Sequence, residues 1–179
     1  CSLISITTQT GEAQTGTNVT GKITTDTTWT LQNSPYTLTG NVLIENAVTL
    51  KIEPGVTIYL NDYYLRVNGT LNARGLNSKQ IAIIQNSTTG NNPAIQFTAI
   101  SKSWDESVGT GSIIENTKIT LIIGTAISIY ECSPKINNCS ISIIDGNGID
   151  IRGGSSIISN NIINSSNKYS IGIFCDTSQ

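Results

Sequence analysis

Three consecutive stretches of the chain stand in register without a gap, each beginning where the one before it ends: "SIIENTKITLIIGTAISIYECS" (112 to 133), "PKINNCSISIIDGNGIDIRGGS" (134 to 155) and "SIISNNIINSSNKYSIGIFCDT" (156 to 177). Isoleucine recurs at Ile114, Ile136 and Ile158, at Ile119, Ile141 and Ile163, at Ile127, Ile149 and Ile171, and at Ile129, Ile151 and Ile173. Asparagine recurs at Asn116, Asn138 and Asn160. Within each unit the apolar residues alternate with small polar ones, as in Ile149-Asp150-Ile151-Arg152, so the units read as strands with isoleucine on one side.

A unit of this length cannot bury its own apolar face, whereas a stack of such units buries all of them. The repeat therefore predicts an all-β solenoid with rungs of about 22 residues spaced about 4.8 Å apart. Each isoleucine then rests on its counterpart in the neighbouring rung. The recurrent asparagines fall where the chain must bend. Their amides suit a rung-to-rung ladder, and asparagine tolerates the left-handed backbone of a sharp turn.

Composition agrees with this and narrows function. The 179 residues are rich in Ile, Thr, Ser, Asn and Gly, and only 12% are charged. Net charge is −2 and the ten Lys and Arg residues are scattered, so there is no basic footprint for a nucleic acid. No apolar run approaches the roughly 18 residues of a membrane span. Histidine is absent, which excludes a histidine-based triad and histidine ligation of copper, zinc or haem. The cysteines lack paired zinc spacing, and no metal or cofactor is expected.

Residues 36 to 87 read as further short strands: "YTLTG", "NVLIE", "VTLKI", "VTIYL", "YLRV", "TLNA" and "IAIIQ", broken at Glu53-Pro54-Gly55, Asn61-Asp62, Asn68-Gly69 and Arg74-Gly75. "AIQF" joins the repeat if Ile95 and Phe97 take the columns of Ile127 and Ile129, a longer step than the repeat itself makes. The surplus falls in "SKSWDESVGTG", which predicts an outer loop carrying Trp104, Asp105 and Glu106. That loop is either a binding element or a lid folded back on apolar surface. Residues 1–30 are expected to be a leader, cap or docking strand, and residues 31–179 the solenoid.

The pattern I-x-N-N-x-I…G-x-G-I-x-I resembles the right-handed parallel β-helix repeat of the pectate-lyase-like superfamily, which implies that the solenoid is a right-handed parallel β-helix. The segment from Ser34 to Gly75 is similar to the opening rungs of bacterial and archaeal surface proteins of that kind. The resemblance implies fold more than function. Lyases of the group use calcium held by several carboxylates and an Arg or Lys base, and hydrolases use grouped aspartates. Neither pattern is evident here: Asp145, Asp150 and Arg152 are the best acidic and basic candidates, and no second carboxylate is expected in the column of Asp150 and Arg152. The chain is not expected to be an enzyme.

The same register places Tyr130, Arg152 and Phe174 in one outward column, where a guanidinium stacked between two rings either only stabilises the sheet, the reading preferred, or forms a strip able to hold a sugar ring. With Trp104 these are the candidate ligand-binding residues. Cys132 and Cys139 flank one corner and are candidates for a disulfide, while Cys1 and Cys175 are placed to link chains stacked head to tail. A mature chain starting at Cys1 also fits a lipid-modified N-terminus. Four cysteines and sequons at Asn18, Asn68, Asn86, Asn138 and Asn164 favour a secreted or cell-surface glycoprotein. The expected function is a structural solenoid of a surface layer or an end-to-end filament, with residues 1 to 10 adding a strand to a neighbour. The alternatives are a carbohydrate-binding adhesin and, less so, a polysaccharide lyase.

Overall fold

The computed structural model describes residues 16–89, 92–167 and 172–176. The described strands form an all-β parallel solenoid of about seven turns. The only helical element among them is a single 3-10 turn at Leu31–Asn33. β1 (Thr17–Ile23) opens the stack, followed by β2 (Thr27–Trp29) and β3 (Tyr36–Ile44). The next rungs are β4 (Thr49–Ile52), β5 (Thr57–Tyr59) and β6 (Leu65–Val67), then β7 (Thr70–Arg74), β8 (Ile81–Ile84) and β9 (Ile95–Phe97). β10 (Ile113–Glu115) and β11 (Thr117–Tyr130) form one rung, and β12 (Lys135–Asn137) and β13 (Ser140–Arg152) the next. β14 (Ile157–Ser159), β15 (Ile162–Ser165) and β16 (Ile173–Asp176) complete the described stack.

Each rung thus presents three faces. One sheet runs β2-β4-β7-β10-β12-β14; a second, wrapped sheet supplies the other two faces through the long strands β3, β11 and β13. The early strands fall where alternation predicts them. Ile95 and Phe97 pair with Ile127 and Ile129, so the longer spacing across the 101–111 loop holds. β1 pairs with β3, and β2 with β4, so stacking begins by Thr17, upstream of the expected boundary at residue 30.

The isoleucine columns are the core. Ile114 pairs with Ile136 and Ile136 with Ile158; Ile119 pairs with Ile141 and Ile141 with Ile163. Ile114, Ile119, Ile127, Ile129, Ile136, Ile141 and Ile149 are fully buried. Each contributes roughly 1.5 to 3 kcal/mol of apolar burial.

Bends are made by residues suited to unusual backbone. Asn116, Asn138 and Asn160 all lie in the left-handed region, at φ 48°, 51° and 56°. β11 and β13 turn a corner without breaking because Gly124 and Gly146 sit there, at φ 102° and 145°. A Cβ on Gly146 would stand 1.8 Å from the Gly124 carbonyl oxygen of the adjoining rung, so only glycine fits.

The last rung departs from the expected register. Ile149 pairs with Ile173 and Ile151 with Cys175, where the repeat assigns Ile171 and Ile173. The extra length of chain is accommodated between β15 and β16, so identical letters at the repeat spacing mislead there. Ile171, expected in the Ile149 column, lies outside the described residues.

Candidate functional site

The outer side of one face carries most of the chemistry-bearing side chains. Pairing sets Arg66, Gln96, Ser128, Asp150 and Phe174 in one outward column. Next along the same side of each strand come Tyr130, Arg152 and Asp176. Phe174 therefore stands beside Asp150, not Arg152, and the expected sequence of ring, guanidinium and ring does not form. Arg152 instead pairs with Asp150 on its own strand, Nη2 to Oδ2 at 3.2 Å. Asp176 occupies the place next to Arg152. The expectation of no second carboxylate in that column is corrected by the same register shift.

Tyr130 remains half exposed and forms one wall of a groove of about 400 Å³. The turn from Thr98 to Ile100 also lines it, together with Arg66, Asn68, Gln96 and Ser128. The turn is fixed by its own hydrogen bonds. Ser101 Oγ donates to the Val67 carbonyl at 2.6 Å, the Thr98 N–H donates to Ser101 Oγ at 2.8 Å, and Thr98 Oγ1 donates to Asn68 Oδ1 at 2.9 Å. Sequence reasoning named Tyr130 and missed Arg66 and Gln96. The signal lay in alternation: both are the polar residue between two apolar ones, in Leu65-Arg66-Val67 and Ile95-Gln96-Phe97.

Trp104 takes the lid role. Two cations approach its ring, with Arg74 Cζ 4.9 Å and Lys135 Nζ 5.4 Å from the ring centroid. Lys135 Nζ also donates to both Glu106 oxygens at 2.9 and 3.0 Å, and Trp104 Nε1 donates to Glu106. The backbone docks too: Trp104 N–H donates to the Ser133 carbonyl at 2.9 Å, and Lys102 N–H to the Gly69 carbonyl at 2.8 Å. The strand partner of Lys135 is Ile113, which alternation turns outward, yet Ile113 is only 2% exposed. The loop thus covers an isoleucine that the repeat leaves on the outside. Lys135 and Trp104 together hold the Glu106 carboxyl below its ordinary range.

The expected disulfide across the corner is absent: Cys132 and Cys139 are buried free thiols, and Cys175 is an exposed one. Cys139 Sγ lies 3.3 Å from the Asn137 carbonyl and 3.5 Å from that of Ile114, turned into the stack. Burial pushes both buried thiols up to about 11. Cys1 lies outside the described residues.

Among the sequon asparagines, Asn18 on β1 and Asn164 on β15 are exposed. Asn86 is exposed and accepts the Asn61 N–H at 3.1 Å. Asn68 sits in the groove beside Tyr130. Asn138 uses its amide nitrogen in the turn ladder, donating to Asn116 Oδ1 at 2.5 Å and to Asn77 Oδ1 at 3.0 Å. Asn116 in turn donates to the Gly75 carbonyl at 3.0 Å, while Asn160 reaches Asn137 Oδ1 at 3.0 Å and leaves the ladder.

Asp145 lies apart from Asp150 and accepts Asn167 Nδ2 at 2.8 Å. No group of three or more acidic or thiol side chains suited to a metal ion is found among the described residues, and none of their helices is long and apolar enough to cross a membrane. Comparison of the chain with protein-family models, with curated proteins and with solved structures finds no match.

Proposed function

We propose that this chain is a non-catalytic structural solenoid of an extracellular surface, extended by stacking of one molecule on the end of another. The reading is carried by the last described rung. Ile173 stands in the column of Ile95, Ile127 and Ile149, all buried, yet is 45% exposed. Cys175 stands likewise after Phe97, Ile129 and Ile151, and is also exposed. A further rung laid on this surface would bury both and pair with the backbone of β14 and β15, each of which stands last in its sheet among the described strands. A second copy presenting its opening rung would make a heterologous contact, and repetition of that contact gives a filament. The expected strand addition by residues 1 to 10 lies outside the described residues.

Electron microscopy of the full chain tests the proposal. A single molecule of seven rungs is on the order of 35 Å long. Rods of several such lengths are expected, shortening to single units in an Ile173→Glu variant. Single units at every concentration in the unsubstituted chain would sink the stacking reading. A second reading, a carbohydrate-binding adhesin, is favoured by the groove beside Tyr130.

A further inference from the structure

We infer that the groove lined by Tyr130 and the Thr98–Ile100 turn binds a short saccharide bearing one anionic group, with Arg66 as its anion-binding residue. This specifies the carbohydrate-binding reading and does not depend on how the ends of the solenoid are covered.

The lining is amphipathic in the manner a sugar ring requires. Ile100, which is 56% exposed, and the half-exposed ring of Tyr130 offer apolar surface. The same groove is lined by Asn68 and Gln96, which carry amides, by Thr98 and Ser128, which carry hydroxyls, and by Arg66. Such convergence of a few polar groups in a partly apolar cleft is the usual form of a small-ligand site.

Charge narrows the ligand. Arg66 is the one charged residue in the lining, and the lining holds no carboxylate. Among the described residues, the ion pairs formed are Lys22 with Glu45, Lys135 with Glu106 and Arg152 with Asp150, so Arg66 has no acidic partner. A guanidinium among neutral donors and acceptors presents a fork of N–H groups that matches a carboxylate or a sulfate. Asn68 Oδ1 is engaged by Thr98, which fixes the amide with its nitrogen as the remaining donor.

The groove crosses the rungs of Arg66, Gln96 and Ser128, about 10 Å at the usual strand spacing. That length suits two or three sugar units laid along the solenoid axis. Flat strand backbone beneath them and the fixed turn beside them mean that the site is formed before the ligand arrives.

Titration calorimetry of the full chain tests this with cellotriose and maltotriose, each in neutral, 6-carboxylated and 6-sulfated form. At least one charged trisaccharide is expected to bind at least about tenfold more tightly than its neutral parent, the effect of one charge-assisted hydrogen-bonded pair. Which charged form wins identifies the anion. Arg66→Gln should erase the difference, Tyr130→Ala should weaken every form that binds, and Lys118→Gln, a cation on another face, should change nothing. Neutral and charged forms binding alike, or a charge preference that survives Arg66→Gln or is lost equally in Lys118→Gln, would overturn the inference and leave the adhesin reading standing. Absence of binding by all six would overturn both.

Discussion

The side-chain amide of Asn138 donates to Oδ1 of Asn116, one rung away, at 2.5 Å, and both residues hold left-handed backbone. One residue type thus meets two demands of the same corner. Asn138→Ala loses the hydrogen bond and places a Cβ-bearing residue without asparagine's local compensation at positive φ, costing about 2 kcal/mol. Asn138→Gly keeps the backbone freedom and loses only the side-chain bonds, so it should cost about half as much, roughly 1 kcal/mol. Urea denaturation of the two variants measures the split; equal losses would refute it.

Gly146 is the second fixed point. Alanine there would force its Cβ against the Gly124 carbonyl oxygen at 1.8 Å, and the cost is expected to exceed about 3 kcal/mol or to prevent folding. Gly172 meets nothing within 4 Å, so Gly172→Ala should change stability by less than about 0.5 kcal/mol. Thermal unfolding followed by circular dichroism compares them.

Such corners explain how far the sequence could be read. Isoleucine and asparagine columns were legible because stacking repeats the same environment at every rung, and Ile95 with Phe97 could be placed by matching them to Ile127 and Ile129. Phe174 could not be placed correctly. Its neighbours Ile171 and Ile173 offer the same alternating pattern in two registers, and only strand pairing selects the one that sets Ile173 against Ile149. Arg66 was illegible as a site residue because its groove is assembled from β6, β9 and β11, whose spacing differs from rung to rung. Ile113 stands at a position that alternation turns outward, yet it is buried, and the repeat gives no sign of that.

The buried thiols give the molecule an alkaline limit. The ordinary thiol value is 9.0, and Cys132 and Cys139 stand at about 11 in the fold because burial disfavours the thiolate. Below pH 9 the folded and unfolded chains both keep these protons. Between 9 and 11 the unfolded chain loses them while the folded chain does not, so stability should fall by up to about 1 kcal/mol per pH unit for each thiol. A Cys132→Val, Cys139→Val variant should lack that part of the slope. Alkylation with iodoacetamide at pH 8, mapped by peptide mass, should mark Cys175 and spare both buried thiols until denaturant is added.

The Trp104 loop has an acid limit. Lys135 and Trp104 hold Glu106 below the ordinary 4.5, so docking is fully favoured above that value and weakens as pH falls through the lowered one. Trp104 fluorescence should shift in that acid range, and Glu106→Gln should show no such transition. A Trp104→Phe variant separates this signal from that of buried Trp29. An unchanged acid transition in Glu106→Gln would assign it to another group.

Ile95, Ile127, Ile149 and Ile173 follow one another in a single column, each on the rung next to the last. The chain between them is longest from Ile95 to Ile127, shortest from Ile127 to Ile149 and intermediate from Ile149 to Ile173, yet the step along the axis is one rung every time. Contour length and axial length are therefore uncoupled: residues added at a corner move outward and leave the rod no longer. The molecule works as a ruler graduated in rungs, on which the loops are labels that can lengthen or change character without moving the marks.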